Sequence, residues 1–136
     1  MTTLAAGYLA ALAVFACVDF VWLAVVAKTA YRNGIGHLMA DPINIPAAIV
    51  FYLVFVLGLM IFAVAPSLRP GGSVMGALTT GALFGFFCYA TYDLTNLATL
   101  RGWPLLLSVV DMVWGAILSG ITAAAGSFAA RFLTGG

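Results

Sequence analysis

The chain has 136 residues, of which 65% are hydrophobic and 7% are charged. A soluble domain carries about 25% charged residues, and one of this length leaves too much surface in water to hide so many apolar side chains. The composition excludes a soluble globular protein, and a formal net charge of +1 provides no basic surface for nucleic acid.

Four apolar segments are long enough to cross a bilayer, which takes about 20 residues of helix. They extend over residues 4–27, 45–65, 76–97 and 105–129. Charged residues and proline-rich turns separate them, and within lipid each segment is expected to be helical because unpaired backbone groups have no water to bond. The sequence predicts an all-α fold, with residues 1–136 forming a single transmembrane domain. We expect an integral membrane four-helix bundle with antiparallel up-and-down neighbours.

Small residues recur at four-residue intervals on the third and fourth segments. Gly81 and Gly85 form one such pair, and Ala116, Gly120 and Ala124 form a second series. This spacing lets helix backbones approach closely in lipid. It favours tight packing within the chain, with a homodimer through the same face as the alternative.

Three aspartates lie inside the apolar segments, where a carboxyl costs about 2.5–3.5 kcal/mol on insertion scales. Asp19 lies nine residues before Lys28, Asp93 eight before Arg101, and Asp111 ten after Arg101. At about 1.5 Å per residue, each is roughly 12–15 Å along its helix from these basic residues, whose connections share one side of the membrane. We therefore expect the three carboxyls to lie at one depth and to face the bundle interior.

Polar and aromatic side chains accompany the aspartates. Tyr89, Tyr92, Asp93 and Asn96 recur at helical spacing and share one face of the third segment. Together with Asp19 and Asp111 they form the predicted polar centre. Arg101 is a candidate accessory residue, because it could reach back to pair with Asp93 or could extend to the headgroups.

A five-residue motif occurs twice, as Val-Asp-Phe-Val-Trp over residues 18–22 and as Val-Asp-Met-Val-Trp over residues 110–114. Each copy places a tryptophan, Trp22 or Trp114, three positions after an aspartate, and we include both as accessory residues. Many transporters contain repeats of inverted topology, so the repeated motif favours an internal duplication of that kind.

The polar centre admits a structural interpretation as well as a functional one, since a hydrogen-bonded network can also fix helix register. Tyr52 is expected to face lipid or to pack, and His37 to be a solvated loop residue. Cys17 and Cys88 stand alone in apolar runs. We predict no metal site and assign no cofactor.

Three neighbouring carboxylates cannot all stay ionised in a low-dielectric layer. At least one must be protonated, or a cation or a basic side chain must neutralise the set. This argument narrows the chemistry to proton relay, cation binding, acid–base catalysis or recognition of a hydroxyl group.

Six runs of the sequence resemble those of a known family: Val18-Asp-Phe-Val-Trp-Leu23, Pro46-Ala-Ala-Ile-Val-Phe-Tyr52, Phe62-Ala-Val-Ala-Pro66, Tyr89-Ala-Thr-Tyr-Asp-Leu-Thr-Asn-Leu-Ala-Thr99, Trp103-Pro104 and Asp111-Met-Val-Trp-Gly115. The family is an uncharacterised bacterial one, domain-of-unknown-function family 2177, and the resemblance covers essentially the whole chain. It implies a multi-pass protein of the bacterial inner membrane with four spans and no established reaction, and it favours a lipid-related role.

Three functions are compatible with these features. The first is a small membrane enzyme acting on a lipid or other apolar molecule, with the three aspartates as acid–base or metal-holding groups. The second is a proton- or cation-coupled small transporter subunit. The third is an accessory subunit in the bilayer that packs against a larger membrane partner or forms a homo-oligomer. We rank accessory or lipid-related function above transport.

Overall fold

Four long helices make up the computed structural model, which describes residues 2–134. They are α1 (Thr2–Leu38), α2 (Ile45–Ser67), α3 (Val74–Thr99) and α4 (Leu105–Thr134). Each is long and apolar enough to cross a membrane, and the described residues form no strand. The predicted all-α bundle of an integral membrane protein is confirmed.

The first two helices each contain one π-helical turn. In α1 the turn covers Leu23–Ala27, after which regular helix resumes over Lys28–Ile35. In α2 it covers Met60–Val64. Such a turn widens the hydrogen-bonding ring and changes the direction of the side chains that follow it, and it often occurs at functional sites. The turn in α1 comes directly after Trp22 and shifts the register of every later residue of that helix.

Local sequence explains where α2 and α3 begin. Before α2, the side chain of Asn44 accepts a hydrogen bond from the backbone N–H of Ala47 at 3.1 Å, and Pro46 occupies the first turn. Before α3, the hydroxyl of Ser73 accepts from the N–H of Gly76 at 3.0 Å. Both are N-caps, which satisfy backbone donors that the helix itself leaves free.

Glycine allows α3 and α4 to approach closely. A Cβ atom on Gly81 would lie 2.8 Å from the carbonyl oxygen of Ser119, and one on Gly85 would collide with the carbonyl oxygen of Gly115. On α4, Gly120 in turn packs against Ala82 of α3. The predicted packing of these small residues within the chain is confirmed for Gly81, Gly85 and Gly120, whereas Ala116 and Ala124 are half-buried.

Helix α4 also packs against α1, so it is the central element of the bundle. A Cβ atom on Gly7 would lie 3.0 Å from the carbonyl oxygen of Gly126. The apolar core lies beside this contact and includes Phe15, Val56, Leu59 and Leu118, all fully buried. Asp19 and Asp93 therefore lie on helices that pack against α4, and Asp111 lies on α4 itself.

Polar contacts join α2 to α4 at the end of the bundle where the α2–α3 connection lies. The guanidinium of Arg131 donates to the carbonyl oxygen of Ser67, and the hydroxyls of Ser67 and Ser127 are 2.7 Å apart. The guanidinium of Arg131 is therefore bound near the end of α4, whereas Asp111 lies near the start of that helix.

Replacing Gly85 with alanine is expected to destabilise the bundle by about 1–3 kcal/mol, because the added methyl group overpacks the α3–α4 contact. The free energy of unfolding in mixed detergent micelles measures the effect. Gly76→Ala is the matched control in the same helix, since its Cβ would meet only the Ser73 hydroxyl at 3.4 Å. Equal stability of the two variants would contradict the packing described here.

Candidate functional site

Three aspartates are buried within the bundle, on three different helices. Asp19 of α1 is 8% exposed, Asp93 of α3 is 1% exposed and Asp111 of α4 is 7% exposed. All three lie toward the end of the bundle that carries the connections after α1 and α3. The structure therefore places the carboxyls inside the bundle and away from lipid.

A cavity of about 380 Å³ separates the helices at this depth, and the carboxyls of Asp19 and Asp111 line it. Aromatic rings form most of the remaining wall, among them Trp22, Phe55 and Trp114. Ligand-binding pockets in proteins typically measure about 300–1,000 Å³ and combine apolar walls with a few polar groups. The cavity fits that description.

The exposed residues among those that line the cavity belong to the first three helices, from which we infer that it opens between them. Leu23 of α1, Phe51 of α2 and Tyr92 of α3 line it and are 48%, 45% and 55% exposed. Leu23 begins the π-helical turn that ends one residue before Lys28, the first basic residue of α1. The opening therefore lies within the apolar part of the bundle and close to the first basic residue of that helix.

The carboxyl of Asp19 accepts two hydrogen bonds from other helices. The hydroxyl of Tyr52, on α2, donates to Oδ2. The indole Nε1 of Trp114, on α4, donates to Oδ1 at 3.4 Å. Tyr52 was expected to face lipid or to pack, and its ring does pack, edge-on against Phe15 with the ring centroids 4.9 Å apart. Sequence reasoning missed the hydrogen bond from its hydroxyl to a buried acid.

The carboxyl of Asp111 accepts a hydrogen bond from the hydroxyl of Tyr31. Tyr31 belongs to the part of α1 that follows the π-helical turn, beyond the predicted span over residues 4–27. Side chains of a helix lean toward its N-terminus, so Tyr31 reaches from the part of α1 that carries Lys28 and Arg32 back into the bundle. Sequence reasoning missed Tyr31 because it treated this stretch as a connection.

The two copies of the repeated motif meet at the contact between α1 and α4. The rings of Trp22 and Trp114 stack with their centroids 4.2 Å apart and their planes 5° from parallel. Because the helices are antiparallel, the tryptophan of each motif is close in depth to the aspartate of the other, and Trp114 bonds to Asp19. The corresponding Nε1 of Trp22 is buried without a hydrogen-bond acceptor.

Asp93 does not line the cavity. Its carboxyl lies close to that of Asp111, and both of its oxygens are buried without a hydrogen-bond donor among residues 2–134. Two ionised carboxylates cannot bond to each other, and their like charges repel in a low-dielectric interior. The pair therefore requires a shared proton or a cation.

Only some residues of the predicted polar centre line the cavity. Tyr89 and Tyr92 line the cavity, and Gly115 leaves the space that the Tyr89 ring occupies. Asn96 is half-buried nearer the connection and does not line the cavity, and Arg101 is exposed in the turn after α3. The site brings together Asp19, Asp111, Trp22, Trp114, Tyr89 and Tyr92, and it adds Tyr31 and Tyr52 to them.

Within residues 2–134, no three His, Cys, Asp or Glu side chains are grouped so that they could hold an ion. His37 and Cys17 are exposed. The chemistry of the site is that of carboxyl, phenol and indole groups.

Removing the hydroxyl of Tyr52 or Tyr31 is expected to destabilise the protein by about 1–3 kcal/mol. Tyr52→Phe leaves Oδ2 of Asp19 without its donor, and Tyr31→Phe does the same to Oδ1 of Asp111. Chemical unfolding of Tyr52→Phe and Tyr31→Phe in detergent measures this loss. Tyr8→Phe is the control, since its hydroxyl donates to the backbone carbonyl of Leu53 outside the cavity. If the three variants were equally stable, the two tyrosines would have no special role at the acids.

Comparison with known proteins places the chain in a family. No curated protein and no solved structure matches it. A family model described as "Predicted membrane protein (DUF2177)" matches residues 4–128, which include every residue of the cavity. The chain therefore belongs to the DUF2177 family of predicted membrane proteins.

Proposed function

We propose that the protein binds an amphipathic, lipid-related molecule in the cavity between its helices, within the bacterial inner membrane. The observation that carries this proposal is the cavity itself, about 380 Å³ in volume, with two carboxyls set in an aromatic wall. An apolar wall suits an apolar chain, and a few fixed polar groups suit the polar end of the same molecule.

The position of the opening supports a ligand that comes from the bilayer. Leu23 and Phe51 present exposed apolar side chains at the mouth. A molecule with an apolar chain could enter sideways between α1 and α2 and leave that chain among the lipids. Its polar end would then reach Asp19 and Asp111.

The carboxyls offer two ways of using a bound ligand. In a small membrane enzyme, Asp19 or Asp111 would accept or supply a proton at the ligand's polar group, and the tyrosines would hold each acid in place. In an accessory subunit, the chain would hold the molecule and present it to a larger membrane partner or to a second copy of itself. Both versions require that the cavity be occupied.

Filling the cavity tests the proposal. Cys88 lines the cavity, whereas Cys17 is exposed and lines a separate groove between α1 and Trp114 of α4, which contains neither acid. Cys88→Phe is expected to remove a lipid that copurifies with the wild type, and Cys17→Phe is expected to retain it. Native mass spectrometry of protein released from lipid nanodiscs measures the bound mass, and lipid analysis identifies it.

A wild-type protein without bound lipid, or a Cys88→Phe variant that keeps the same lipid at the same occupancy, would overturn the proposal. Circular dichroism and gel filtration of both variants establish that they retain the helical bundle. The Cys17→Phe control separates occupation of the cavity from lipid adsorbed on the outer surface.

A proton- or cation-coupled small transporter subunit is the second candidate. The observation that favours it is Asp93, which is almost fully buried, has no hydrogen-bond donor and faces a second acid. Acids of this kind in membrane helices commonly mark ion pathways. This candidate differs from the first because it requires flux across the bilayer, which ligand binding alone does not.

A further inference from the structure

The cavity is the part of the bundle where acidic side chains cluster without a basic partner among the lining residues. Asp19 and Asp111 line it, and the carboxyl of Asp93 lies close to that of Asp111. The basic side chains lie elsewhere: Lys28, Arg32, Arg69 and Arg101 are exposed, and Arg131 donates to the Ser67 carbonyl. Among the described residues that line the cavity, none is basic.

The hydrogen bonds to the acids leave this charge in place. Tyr52 and Trp114 donate to Asp19, and Tyr31 donates to Asp111. These donors are neutral, so they satisfy the oxygens of a carboxylate without cancelling its charge. Burying an ionised carboxyl remains costly unless a positive charge accompanies it or a proton neutralises it.

The wall of the cavity is suited to an organic cation. It contains the stacked pair Trp22 and Trp114, together with the rings of Tyr89 and Phe55. Aromatic rings attract ammonium groups, most strongly where water is excluded, and aromatic cages are a recurring way of binding quaternary ammonium ligands. Two acids and several aromatic rings around one space combine both attractions.

We propose that the ligand of this cavity carries an amine or quaternary ammonium group, which binds between Asp19 and Asp111 beside the two indoles. This inference rests on the proposed function and specifies the polar end of the amphipathic ligand. The apolar part of the ligand extends through the opening at Leu23 and Phe51 into lipid.

Two other ligand chemistries fit less well. A metal cation requires several ligands at once, and within residues 2–134 no three acidic, histidine or cysteine side chains are grouped to supply them. A neutral alcohol would add another hydroxyl donor to carboxyls that already accept from tyrosine. It would leave the negative charge uncompensated, which an ammonium group would not.

A matched pair of probes tests the inference. Dodecyltrimethylammonium and dodecanol have the same alkyl chain and differ in the charge at its end. Each is titrated at low mole fraction into the protein in dodecyl maltoside micelles, and native mass spectrometry counts the bound molecules. We expect the ammonium compound to bind the wild type at least about tenfold more tightly than the alcohol.

Isosteric variants locate the interaction. Asp19→Asn and Asp111→Asn are each expected to weaken binding of the ammonium compound by about tenfold or more, while dodecanol binding changes little. Asp41→Asn is the control, because Asp41 is an exposed acid in the connection after α1 and would attract cations only nonspecifically. Cys88→Phe is expected to abolish binding of both probes.

The outcomes separate this inference from the function on which it rests. Equal affinity for the two probes, with both lost in Cys88→Phe, would overturn the cationic ligand and keep the apolar binding site. Failure of both probes to bind the wild type would overturn both. Equal loss of ammonium binding in Asp41→Asn and Asp19→Asn would assign the effect to surface charge and also overturn the inference. The comparison of the two probes on wild-type protein needs no variant to fold.

Discussion

Burial of three carboxyls in a helical bundle without a basic side chain beside them is the constraint on which the rest of this structure depends. Water cannot solvate these acids inside the membrane, so the protein must supply hydrogen-bond donors, protons or a cation in its place. Tyr52 and Trp114 donate hydrogen bonds to Asp19, and Tyr31 donates one to Asp111. No side chain or backbone group of the described residues donates to Asp93. The site is therefore hydrogen-bonded in part and short of positive charge throughout.

The packing of the helices determines where these groups meet. Gly81 and Gly85 bring α3 against α4, and Gly115 provides the space for the ring of Tyr89. On its other side, α4 approaches α1 at Gly7 and Gly126. The indoles of Trp22 and Trp114 stack further along the contact between the same two helices. Close backbone approach at the glycines holds the walls together, while the large aromatic rings keep them apart and maintain the cavity.

The predictable part of the structure followed from periodicity and solvation. Apolar length indicated the helical bundle, and the spacing of Asp19, Asp93 and Asp111 from Lys28 and Arg101 indicated buried acids near one end. The partners of those acids could not be obtained in this way. Tyr31 lies beyond a π-helical turn that no residue pattern revealed, and Tyr52 sits in a run of Phe, Leu and Val with nothing to distinguish its face. Both contacts depend on helix rotation, which only tertiary packing decides.

The most direct test of this account is an infrared measurement of the protonation of the acids in ligand-free protein. The spectrum should contain the carbonyl stretch of a protonated carboxylic acid in the membrane-embedded protein at neutral pH. That band should disappear in Asp93→Asn and persist in Asp41→Asn, because Asp93 is the acid that lies against a second carboxyl and accepts no hydrogen bond from the described residues. A wild-type spectrum in which all carboxyls are ionised would contradict the claim that these acids lack a compensating positive charge.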